Sequence, residues 1–199
     1  LSKGSGFTSF HLLARGELLE ECDMSHASDI ETITPRELAA SHLLLEAGET
    51  IELVVGPGLD TPNDASYDSS SVKIEVIEAE DFYSLGDDMA LNILAGNEDN
   101  PFCGGRWTAG QYDRSVQDPY PNKGASTALK WGFNRDTYFV GFSEAGNTDR
   151  VAVYCCVNTN DQKRTNIAEM DPHEVFVLPA GARHAAFRFT TPEDGTWRM

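Results

Sequence analysis

The sequence predicts an all-β protein, a single β-sandwich or jelly roll of about 8–10 strands with one short helix and a long aromatic loop. Three observations carry this. Apolar residues recur with a period of two rather than 3.6. Gly, Pro, Asn and Asp separate the short apolar runs. No run approaches the roughly 18 apolar residues of a membrane span, so a soluble chain is expected.

The elements follow in order. Residues 1–9 read as an extended arm and 10–199 as the sandwich. Residues 7–23 read as strand, turn at Arg15-Gly16-Glu17, strand. Residues 42–46 and 50–55 flank Ala47-Gly48-Glu49, which predicts a hairpin with glycine at the left-handed position. Residues 72–78 alternate apolar and charged, the pattern of one strand with a buried and a wet face. Further strands are expected at 90–94, 128–133, 138–142, 150–157, 174–178 and 184–190, with a Pro192/Gly195 turn into a last strand at Trp197. The expected helix is 35–40, with Thr34 as N-cap and Pro35 in the first turn. Residues 97–126 hold four Gly, three Pro and four large aromatics without a strand period, which predicts a loop that packs on the sandwich, on a partner or on a ligand.

Charge is distributed unevenly. The net is −17, and residues 1–100 carry all of it, with 21 acids against four bases; residues 101–199 are balanced. Such a surface repels phosphate, so nucleic acid and anionic membrane are poor partners. Arg outnumbers Lys ten to five, which suits fixed pairing between subunits. A solvated acidic face or a high-salt habitat would give the same composition.

Tests for chemistry return short matches. Pro179-Ala-Gly181-Ala-Arg-His184 resembles the second motif of the cupins, and His42-Leu-Leu-Leu-Glu46 the tail of the first, with Ala40 in place of the first histidine. The resemblance spans about a dozen residues and implies a metal held by His42, Glu46 and His184. Asp60, Asn63, Asp64 and Asp68 offer oxygen to Ca²⁺ outside any EF-hand spacing. Gly141-Phe-Ser143-Glu-Ala-Gly146 is not a nucleophile elbow, Cys103 lacks an evident base, and Cys22 with His26 lacks a second ligand pair for zinc. The four cysteines form no C-x-x-C pair; buried free thiols are expected, with a Cys22–Cys103 or a Cys103–Cys155/Cys156 bridge as alternatives. Arg106, Trp107, Tyr112, Asp113, Arg114 and Tyr120 combine the flat rings and polar partners that grip sugars or anchor subunits.

The leading expectation is therefore a non-enzymatic structural protein that needs no cofactor, a homo-oligomer building a shell or filament on a virion surface or outside the cell. Virion capsids and strand-donating filaments use such folds. A carbohydrate-binding module using 97–126 is the alternative, and a cupin-like metalloprotein the third.

Overall fold

The computed structural model describes residues 7–25, 38–57, 70–113, 127–134, 139–144, 146, 153–162, 170–180 and 183–199. They form three antiparallel sheets and one helix, an all-β sandwich as the sequence predicts.

The chain opens with β1 (Phe7–Ala14) and β2 (Glu17–Ser25). Arg15 (φ 53°) and Gly16 (φ 74°) are both left-handed, as a two-residue hairpin whose twist matches its strands requires. Phe7–Ser9 belong to β1, all three pairing with β2 and Thr8 and Ser9 also with β4, so the expected free arm is at most residues 1–6, outside the described residues. With β4 (Thr50–Pro57), β8 (Trp107–Asp113), β9 (Thr127–Ala128) and β14 (Arg183–Thr190), these strands make a six-stranded sheet in the order β2-β1-β4-β14-β8-β9. A second sheet orders β10 (Lys130–Asn134), β11 (Phe139–Ser143), β12 (Tyr154–Asn158), β13 (Val175–Leu178) and β5 (Ser70–Val72). A third orders β3 (Leu43–Leu45), β15 (Gly195–Arg198), β6 (Glu75–Glu78) and β7 (Asp81–Ser84).

All three sheets contribute to one core: Leu12, Leu53 and Phe187 from the first, Phe142, Val157 and Val177 from the second, Leu45, Val76 and Trp197 from the third. Phe189 lies at the aromatic centre, 4.9 Å from Trp107, 5.1 Å from Tyr83 and 5.5 Å from Trp197 between ring centroids. Each such pair adds about 0.5–1.5 kcal/mol beyond the area it buries.

Two predicted strands and one predicted hairpin are each divided between two sheets. The alternation in 72–78 holds, with Val72, Ile74 and Val76 buried, but β5 pairs with β13 while β6 pairs with β15 and β7. Residues 128–133 divide at Leu129, whose N–H donates to Ala109 O at 2.9 Å and whose carbonyl accepts from Asn100 Nδ2 at 2.7 Å. The strands around Ala47-Gly48-Glu49 are correctly located and Gly48 is left-handed (φ 87°), yet they do not pair with each other. Thr191 holds this corner instead: its hydroxyl donates to Glu46 O at 2.6 Å, and its amide donates to Glu49 O at 2.9 Å.

Among the described residues the helix lies elsewhere than the sequence reading puts it. Residues 35–37 lie outside the described residues, and Ala40 exchanges backbone hydrogen bonds with Met199, both at 2.9 Å. The predicted strand 90–94 is instead the second half of α1 (Leu85–Leu94). Ser84 caps it by accepting from Asp87 N at 3.3 Å, and Asp87 and Asp88 stand in the first turn, where the helix dipole favours acids. Leu85, Met89 and Ala90 enter the core while Leu91 and Leu94 stay exposed, a helical spacing that a period-two reading overlooks.

Asp87 also faces His173, with Nδ1 2.5 Å from Oδ1. The His173 hydrogen bond, helped by Ser84 and opposed by partial burial, holds the Asp87 carboxyl below its usual value of 3.8. A depressed carboxyl contributes stability above its unfolded pKa and loses it as pH falls through the lower folded value. Thermal melts at decreasing pH should therefore show a shallower acid loss in Asp87→Asn than in the parent, below about pH 4.

Candidate functional site

The residues expected to form a cupin-like centre do not converge. His184 is buried on β14 beside His11 of β1, with ring centroids 6.2 Å apart. His42 and Glu46 are exposed at the two ends of β3, in a different sheet. Among the described residues the three do not form a group able to share an ion, so the resemblance rests on a turn before a strand. Asp60, Asn63, Asp64 and Asp68 lie outside the described residues, as do Arg114 and Tyr120.

The segment 97–126 is not one long loop, because β8 crosses its middle as an inner strand of the six-stranded sheet. Asn100 anchors its start, donating to Ala109 O at 2.6 Å and accepting from Ala109 N at 3.1 Å. Trp107 is fully buried, and its indole N–H donates to Asp88 Oδ2 at 2.7 Å, fastening α1 to β8. Tyr112 is also buried. These two rings are held inside the protein rather than offered to a sugar or subunit. Arg106 is half-buried over the Tyr83 ring, 5.4 Å from its centroid, and Asp113 ends β8.

Cys155 and Cys156 are buried and Cys22 and Cys103 half-buried, none of them in a disulfide; the neighbours Cys155 and Cys156 point to opposite faces of β12, each into its own apolar cluster. Complete burial pushes the Cys155 thiol up to about 12, far from a reactive thiolate. Cys103 is raised by burial and then by Asp88, and its Sγ donates to Asp88 O.

Two arrangements emerge that sequence reasoning missed. One is a buried polar triad on the face of the six-stranded sheet away from the main core. Glu52 and Arg188 are directly opposed on β4 and β14, and Arg188 Nε donates to Glu52 Oε1 at 2.8 Å. Tyr112 OH donates to Glu52 Oε2 at 2.6 Å and accepts from Arg188 Nη2 at 3.0 Å. Burial, then the Glu52 carboxylate, pushes the Tyr112 hydroxyl up to about 12. All three side chains satisfy one another, which is how a charge survives in a low-dielectric interior. The signals in the sequence were a lone acid and a lone base between apolar neighbours, Ile51-Glu52-Leu53 and Phe187-Arg188-Phe189, which read equally well as solvated strand positions.

The other is the outer face of the third sheet. The registers place Leu44 opposite Thr196, and Ile77 between Arg198 and Phe82, all on the face away from the core. Leu44 is 74 % and Phe82 53 % exposed. Among the described residues β3 and β7 each pair on one side only, so both borders of this face are open strand edges. Acids gather in its turns, including Glu46, Glu80, Asp81 and Glu193.

Compared with protein-family profiles, curated proteins and solved structures, the chain finds no match. The fold defines the class, an all-β sandwich. Among the described residues no helix is long and apolar enough to cross a membrane.

Proposed function

We propose that this chain is a non-enzymatic structural subunit that self-assembles into a larger shell or filament through the outer face of the third sheet. The observation that supports it is one sheet face that carries exposed Leu44 and Phe82 together with Ile77, on a sheet with two open edges. Single apolar residues are ordinary on a surface; several on one sheet face between open edges are what a packing neighbour covers. Open edges add backbone donors and acceptors that a strand of another copy can pair. A virion surface or an extracellular filament is where such a subunit would serve.

The acidic turns around the face oppose association at low salt, and screening relieves them. Sedimentation velocity from low to molar salt tests the reading. The native chain should assemble increasingly as salt rises, and Leu44→Ser with Phe82→Ser should remain monomeric throughout. A native chain that is monomeric at every salt concentration overturns it.

A further inference from the structure

We propose that Glu78, Asp81 and Glu193 form a binding site for a hard divalent cation, Ca²⁺ by the chemistry of its donors, which ties the β6–β7 hairpin to the turn between β14 and β15. Glu78 and Asp81 share a register row with buried Trp197, on the other side of the third sheet from Leu44, Ile77 and Phe82, and the site does not depend on assembly.

Glu78 and Asp81 are cross-strand partners on either side of the two-residue turn Ala79-Glu80. Glu193 reaches them from the turn that precedes β15. One carboxylate oxygen from each lies within 4.8 Å of the other two. Oxygens bound to a single Ca²⁺ at its usual distances stand up to about 5 Å apart, so this spacing admits the ion with small side-chain adjustments. Three carboxylates with no nitrogen or sulfur donor select a hard cation over zinc or copper. Arg106, the nearby base over Tyr83, forms no ion pair with any of the three, so their mutual repulsion is left for another cation to relieve.

A second observation comes from the core side. Trp197 is wholly buried, and its indole N–H makes no hydrogen bond. A Cβ placed on Gly195 would lie 2.8 Å from Glu78 Oε1 and 3.1 Å from Trp197 Nε1, so donor and carboxylate converge on one point above that glycine. Gly195 is not left-handed; room for these two groups, rather than backbone strain, is what requires glycine there. An indole N–H at this position orients a ligating carboxylate, or an oxygen bound to the ion, as outer donors commonly do in metal sites. The Tyr83 hydroxyl senses the same cluster: burial raises its pKa first, and Asp81, Glu193 and Glu78 each raise it further.

Tb³⁺, a luminescent substitute for Ca²⁺, tests the site, because Tyr83 and Trp197 beside it can transfer excitation to the bound ion. In about 0.15 M NaCl, which screens diffuse attraction to the acidic surface, the native chain should give saturable sensitised emission that Ca²⁺ displaces. Asp81→Asn with Glu193→Gln should weaken binding at least about tenfold, whereas Glu17→Gln with Glu20→Gln, on β2 of the six-stranded sheet and outside the carboxylate cluster, should leave it unchanged. Ca²⁺ should also raise the melting temperature of the native chain and of the β2 variant, but not of the Asp81/Glu193 variant. Absence of saturable emission, or equal emission from the Asp81/Glu193 variant, overturns the proposal. Both altered pairs lie at the surface, and circular dichroism on each variant separates lost binding from lost folding.

Discussion

Replacing Arg188 with alanine should destabilise the protein by about 3–5 kcal/mol, the usual consequence of removing one partner from a buried ion pair. Glu52 is 3 % exposed and would be left with only the Tyr112 hydroxyl as its partner. In a chain of 199 residues that corresponds to a fall of roughly 10 °C in melting temperature. The double replacement Glu52→Leu with Arg188→Met removes both charges at similar volume and should recover most of the loss, because the desolvation of two ions disappears with them. Urea unfolding of the two single variants and the double closes the cycle. Additive losses would mean that the triad is not coupled.

Trp107→Ala comes next, with an expected loss of about 3–5 kcal/mol. The substitution opens a void where an indole packs edge-on against Phe189, and it releases α1 from β8 by deleting the bond to Asp88. Trp107→Phe should cost clearly less, since the ring volume is largely kept and the half-buried Asp88 can turn to water. Denaturant midpoints for the two variants check this order. A glycan array on folded Trp107→Phe should match the parent, because the ring that would stack on a sugar lies in the core.

How much of this was legible in the sequence depends on the range over which each signal acts. Period-two alternation and turn chemistry are local, and they located the β1–β2 hairpin, β11 to β14 and the last strand at Trp197 within a few residues. Pairing partners are not local. Nothing in Val72-Lys-Ile-Glu-Val announces that the backbone leaves one sheet for another at Lys73–Ile74, since a clean alternation survives the crossing. The helix was missed for a different reason: 90–94 by itself reads as a short apolar run, and the helical spacing shows only when Leu85 and Met89 before it are counted with it. The aromatic segment shows the limit for sites. Trp107 and Tyr112 have the composition of a binding loop, and only their register on β8, opposite Phe189 and His184, puts them inside. The triad and the carboxylate cluster join residues far apart in the chain, so spacing alone carries no trace of either.

The three sheet-changing corners have a mechanical consequence. Residues 46–49 carry the chain from the third sheet into the first, Lys73 and Ile74 from the second into the third, and Leu129 from the first into the second. Every pair of sheets is thus joined covalently by a bridge of four residues or fewer, closing a triangle of short tethers around the shared core. No layer can slide or peel away without dragging the other two, so the sheets do not behave as separable units of local unfolding. A load applied at any one edge is distributed through the whole molecule.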